Sequence, residues 1–195
     1  MIILGITGPT GSGKTTVSKI FENHGIRVID TDKLAREIVE PKKPALSELV
    51  ACFGDDILLP NGTLDRKKLA KTAFSDEESL KNLNRITHKY ISGEIEKIVK
   101  TYIGDILGID GAVLIESGIS KRCTKILSVL ADVDIRKMRI IKRDFLTPEE
   151  ADLRISTQKN NEFYIENSDY IVYNNDMKSL DFQILKIINE LRSMV

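Results

Sequence analysis

Cysteine is scarce, no long apolar run occurs, and neither sign of charge prevails. Cys52 and Cys123 are the only cysteines, and neither has a Cys or His neighbour at metal-ligand spacing. No disulfide framework or cysteine-based metal site is expected, and the pair suits ordinary packing in a reducing compartment. No stretch reaches the roughly 18 apolar residues that a membrane helix needs. The amino terminus, Met1-Ile2-Ile3-Leu4-Gly5, has no cationic segment, which argues against a secretory signal. A cytoplasmic protein is therefore expected. Lys+Arg and Asp+Glu number 29 each, so no overall field draws the chain to nucleic acid or to a membrane. A basic surface interleaved with aromatics is also missing, as are repeats and low-complexity linkers.

Apolar residues make up 42% of the 195, enough for the core of one domain or of one domain with a small lobe. Short apolar runs at Ile2–Ile6, Ile26–Ile29, Ile106–Ile109, Ile126–Leu130 and Tyr170–Tyr173 read as buried strands. Helical spacing separates them. Leu34, Ile38 and Val39 suggest a short helix that Pro41 closes, and Thr147-Pro148-Glu149-Glu150 is a strong helix start. From Pro44 to Val99 the pattern is mostly helical, with a turn at Asn61-Gly62. Leu80, Leu83, Ile86, Tyr90, Ile91, Ile95 and Ile98 form one stripe. The expectation is an α/β fold: a five-stranded parallel sheet flanked by helices, with a helical lobe inserted near residues 62–100.

Gly8-Pro9-Thr10-Gly11-Ser12-Gly13-Lys14-Thr15 fits G-x-x-x-x-G-K-[ST], with an apolar strand before it and a helical pattern after it. Gly8, Gly11 and Gly13 let backbone N–H groups turn inward around phosphate oxygens. Lys14 brings a cation to the β- and γ-phosphates, the Thr15 hydroxyl can ligate Mg²⁺, and the helix start adds its positive end. At average composition such a match arises by chance on the order of once in a hundred chains of this length. Ser12 and Thr16 complete the expected ATP-binding stretch. An acid pair, Asp30-Thr31-Asp32, follows the second strand, where a parallel sheet opens a crevice beside the loop. A carboxylate there can accept the proton of an attacking hydroxyl. Asp32 can equally cap a helix starting at Lys33, and the residues alone leave both roles open.

Beyond these motifs the chain resembles dephospho-coenzyme A kinases. Gly5 to Val17 resembles that family's opening, and Val28 to Asp32 with Ala35-Arg36-Glu37-Ile38-Val39-Glu40-Pro41 resembles its next block. Phe53-Gly54, Leu64-Asp65-Arg66, His88, Glu116-Ser117-Gly118, Arg143-Asp144, Arg154, Gln158 and Asp169-Tyr170 match in order. The resemblance implies a P-loop fold of the nucleoside-kinase type. It implies transfer of the γ-phosphate of ATP, with Mg²⁺, to the ribose 3′-hydroxyl of dephospho-CoA, the last step of coenzyme A biosynthesis. It places the base at Asp32, acceptor contacts at Arg36, His88 and Glu116, and a mobile lid near residues 139–163. Arg139 and Arg143 are four apart, hence on one helix face, and arginine forks suit phosphate oxygens. The lid makes Arg143 the leading ATP contact, with Arg139 second. Asp110 is a candidate for organising Mg²⁺.

Three positions depart from that family's pattern. Ala112 stands where a proline is usual, Lys89 follows the lobe histidine in place of proline, and Tyr164 replaces a lysine after the lid glutamine. Two rival readings remain. Asp105 to Gly108 satisfies the loose D-x-x-G of GTPase switches, but no Asn-Lys-x-Asp guanine signature accompanies it. A nucleoside monophosphate kinase would share the loop. Its phosphate acceptor is already ionised and has less need of a base after strand two.

Overall fold

The computed structural model describes the backbone of residues 1–195 and every side chain except those of Met177, Lys178 and Ser179. Five strands, β1 (Ile2–Thr7), β2 (Arg27–Asp30), β3 (Ile106–Asp110), β4 (Lys125–Leu130) and β5 (Tyr170–Tyr173), form one sheet in the order β2-β3-β1-β4-β5. All four pairings are parallel. Continuous apolar runs rather than alternation mark strands covered on both faces, as parallel sheets require. The expected strands are all present, and β1 is central.

Two compact units divide the chain, Met1–Asp30 with Tyr102–Val195, and Thr31–Thr101. In the first, α1 (Lys14–Asn23) and α9 (Met177–Ser193) cover one sheet face. Val17, Ile20 and Phe21 from α1 and Leu180, Ile184, Ile188 and Leu191 from α9 bury themselves against Leu4, Ile6, Leu127 and Val129. Burial of each large side chain contributes about 1.5–3 kcal/mol, so the loop that follows β1 is mounted on a rigid frame. The same unit carries α6 (Val133–Asp144), α7 (Pro148–Ser156) and α8 (Asn161–Glu166). The α7 start is a full capping box: Thr147 accepts from the Glu150 amide, and the Glu150 carboxylate accepts from the Thr147 amide.

The second unit is helical: α2 (Thr31–Glu37), α3 (Pro44–Phe53), α4 (Arg66–Ala73) and α5 (Glu77–Thr101). Asp65 caps α4 by accepting from the Lys67 and Lys68 amides at 3.0 Å each. The α5 stripe is buried at Ile86, Ile91 and Ile95, and α2, α3 and α4 pack on it. The unit therefore begins well before residue 62, because Leu34, Leu46 and Leu49 belong to the core that α5 organises. A second correction concerns α2. It starts at Thr31 rather than Lys33, so Asp32 lies inside the first helical turn, exposed, and is not the helix cap. No helix among the described residues is long and apolar enough to cross a membrane.

Candidate phosphate-binding site

The carboxyl end of β1 runs directly into the glycine-rich loop, and α1 begins at Lys14. Gly8 and Gly13 have φ of 143° and 95°. A Cβ at Gly8 would collide with the Val129 carbonyl, and one at Gly13 with the Asn174 amide nitrogen. Both positions thus require glycine on two grounds, backbone conformation and close approach. Lys14 folds back so that its Nζ donates to the Gly8 carbonyl at 2.8 Å. That contact ties the cation to the start of the loop. Thr15 and Thr16 fall in the first turn of α1, with Thr15 exposed. Ser12 is fully buried, its amide donating to the Pro9 carbonyl at 3.2 Å and its hydroxyl without a partner among the described residues. Its part in the loop is therefore played by the main chain.

Acids stand at the ends of the neighbouring strands. Asp110 closes β3, paired in register with Ile6 of β1 and with Asp30 of β2. The Asp110 Oδ2 accepts from the Ser18 hydroxyl of α1 at 2.7 Å. Among the described residues no group of three or more His, Cys, Asp or Glu forms a dedicated metal cage. Mg²⁺ in nucleotide enzymes is held by one or two protein oxygens together with phosphates and water. A hydroxyl at the loop and a carboxylate at the adjacent strand end fit that requirement.

Outside the loop, four side chains grip its main chain. Asn174 Nδ2 donates to the Ser12 carbonyl at 2.8 Å. The Arg139 guanidinium donates to the Gly11 and Ser12 carbonyls at 3.3 Å and to the Asn174 carbonyl at 2.9 Å. Arg136 donates to the Thr10 carbonyl, and Gln158 bonds both the amide and the hydroxyl of Thr10. Arg139, expected as an ATP contact, is thus engaged with the outer carbonyls of the loop. These donors hold the Thr10, Gly11 and Ser12 carbonyls away from the nest side of the loop, while the Thr10 and Ser12 amides are already engaged with Gln158 and Pro9. Arg136 and Asn174 escaped the sequence reading. Their loop partners, Thr10 and Ser12, lie more than a hundred positions away, and no local spacing marks them.

Arg143 lies in the last turn of α6, largely exposed. Its Nε and Nη2 donate to Asp144 Oδ1 and Oδ2, each at 2.8 Å, and Arg154 Nη1 donates to the same Oδ2 at 2.6 Å. The bidentate Arg143 pair, joined by Arg154, holds the Asp144 carboxyl below the usual carboxylate range. Phe145 follows at φ 55° and 93% exposed. Glu116, exposed, lines an open cleft of about 330 Å³ together with Gly8, Thr10, Gln158, Lys159 and Tyr164. Burial, then the negative charge of Glu116, pushes the Tyr164 phenol up to about 12, so it stays protonated. In the helical unit, Asp32 and Arg36 occupy the first and last turns of α2, both exposed. The Arg36 carbonyl accepts from Arg66 Nη2 at 3.3 Å. His88 sits half-buried on α5.

A phosphate loop at the head of the central parallel strand, beside an acid at the end of the adjacent strand β3 and another at the end of β2 beyond it, defines a P-loop phosphotransferase. The comparison with known proteins narrows this. The dephospho-CoA kinase family model matches residues 2–179, and the chain belongs to that family. The dephospho-CoA kinase of Fusobacterium nucleatum is 39% identical over 90% of both chains. That of Corynebacterium glutamicum is 36% identical over the whole of both. A crystal structure from Thermus thermophilus superimposes with a TM-score of 0.85 at 29% identity, covering 97% of this chain and 96% of that one.

Proposed function

We propose that the chain transfers the γ-phosphoryl group of ATP to the ribose 3′-hydroxyl of dephospho-CoA, giving ADP and coenzyme A. Family membership carries the reaction class, ATP-dependent phosphorylation of dephospho-CoA. The phosphate loop with Lys14 folded over it supplies the matching chemistry. In the transfer, the bond between the γ-phosphorus and the bridging oxygen breaks and a bond to the 3′-oxygen forms. The leaving electron pair stays on ADP, and the hydroxyl proton must go to a base.

Asp32 is that base. It is exposed in the first turn of α2, which supports this reading. Arg36, His88 and Glu116 are the acceptor contacts that the family resemblance implies. Arg143 acts from the lid, residues 139–163, by exchanging its Asp144 partner for phosphate oxygens. Lys14 and the loop amides hold the β- and γ-phosphates. Thr15 and Asp110 would hold Mg²⁺, which neutralises developing phosphate charge when bound. The enzyme works in the cytoplasm.

The test is ADP release with dephospho-CoA against a panel of nucleosides and nucleoside monophosphates. Turnover is expected with dephospho-CoA and not with the panel. Faster turnover with a nucleoside monophosphate would replace the hydroxyl acceptor by a phosphate.

A further inference from the structure

Arg136 lies on α6 with only 4% of its surface exposed, yet no carboxylate pairs with it among the described residues. Its two hydrogen bonds go to neutral oxygens: Nε to the Thr10 carbonyl at 3.0 Å, and Nη2 to Gln158 Oε1 at 2.9 Å. The same Oε1 accepts from the Thr10 amide at 3.0 Å, and Gln158 Nε2 donates to the Thr10 hydroxyl at 2.6 Å. Thr10 is therefore held at its N–H, its carbonyl and its hydroxyl by two side chains that also hold each other. The helix backbone comes equally close. A Cβ on Gly11 would stand 2.8 Å from the Arg136 carbonyl oxygen.

An isolated buried charge is costly. Burial lowers the Arg136 pKa from its ordinary value, and a guanidinium remains charged even so. A cation that the fold leaves unneutralised beside a phosphate loop has a natural counter-ion in the phosphates of the nucleotide. Because its donors face the outer carbonyl of Thr10, it acts behind the loop and not on the phosphate itself.

We propose that Arg136 is a positioning residue for nucleotide binding: its fork locks Thr10 and Gln158 together, and the bound phosphates balance its buried charge. The inference rests on the reading of the loop as the ATP site, and its test reads ATP binding without any acceptor. Calorimetry and thermal unfolding with MgATP are measured on the parent, R136Q and R136K. R136Q keeps a donor for the Thr10 carbonyl but no charge, and R136K keeps the charge but not the fork. ATP affinity is expected to fall about tenfold or more in R136Q and less in R136K, as loss of a charge-assisted contact implies. The Tm of R136Q without nucleotide should not fall, since a buried unpaired charge has been removed, and KM for dephospho-CoA at saturating ATP should stay parental.

An arginine that merely braces the fold makes the opposite forecast: a lower Tm with parental ATP affinity in the folded protein. That result overturns the proposal, as does an R136K as weak as R136Q. Should R136Q not fold, R136K decides: weaker ATP binding at parental Tm supports the fork, and parental binding overturns it. Failure of the parent itself to bind MgATP would overturn the functional reading instead.

Discussion

The phosphate loop and the α6–α7 turn use the same residue types to opposite ends. Around the loop, Arg136, Arg139 and Asn174 direct their donors at main-chain carbonyls, and Arg136 and Asn174 are buried. At the turn, Arg143 and Arg154 share the Asp144 carboxylate at the surface. A main-chain carbonyl in a fixed loop cannot leave its donor without breaking the loop. An exposed ion pair is worth about 0–1 kcal/mol and can exchange partners with little penalty. One region is held by donors that cannot leave, and the other by ion pairs that can exchange partners.

The sharpest break of this contrast is Lys14→Ala. Its loss removes the cation at the loop, and kcat/KM should fall about 10³–10⁵-fold, as for other cations that stabilise transferring phosphate. The thermal melt should stay close to parental, because Lys14 is half-buried and lies outside the apolar cluster of the core. A parental rate in a folded variant would remove the loop from the chemistry. Asp32→Asn comes next, with kcat lower by about 10²–10⁴ and ATP affinity kept. The amide matches the carboxylate in shape, so a parental kcat would shift the base to Asp30.

Stability separates the two regions more directly. Asn174→Ala strips the Ser12 carbonyl of a buried donor and should cost about 1–3 kcal/mol in denaturant unfolding. Asp144→Ala should cost at most about 1 kcal/mol. The Asp144 contribution has a definite pH sense. Its carboxyl is depressed in the folded state by Arg143, so the contribution is present above the usual carboxylate range and lost as pH falls through the folded value. Equal losses for the two variants would erase the distinction. Arg143→Lys should raise KM for ATP or lower kcat about tenfold at unchanged stability, since a point charge cannot reproduce the fork. The smallest effect expected is a gain. Phe145 holds a left-handed conformation that favours glycine and leaves its ring in solvent, so Phe145→Gly should stabilise the chain by up to about 1 kcal/mol.

The legible parts of this protein are the local ones. The strands announced themselves as short apolar runs, and the loop as a spacing of glycines before Lys14 that fits a phosphate nest. The α7 start at Thr147-Pro148 was read from four adjacent residues, and the structure closes it as a capping box. Reading went astray where neighbours along the chain compete with neighbours in space. The sequence points to an α2 start at Lys33, two residues after the observed Thr31, and to a helical lobe near residue 62 where the unit begins at Thr31, because the burial of Leu34, Leu46 and Leu49 has no local mark.

By itself, then, the sequence determined the central strand, the anion loop that follows it, the acids at the ends of strands two and three, and the resemblance that points to the acceptor. Each depends on residues close along the chain, where φ preferences, hydrophobic period and short hydrogen bonds act without outside help. The tertiary structure alone decided which arginines hold the loop and which stay at the surface. Arg136 and Arg139 meet carbonyls of residues 10–12 across the fold, whereas Arg143, one turn further along the same helix, finds only its neighbour Asp144 and solvent. Identical side chains acquire different roles because burial and partner are properties of the packed chain, and no spacing along α6 encodes them.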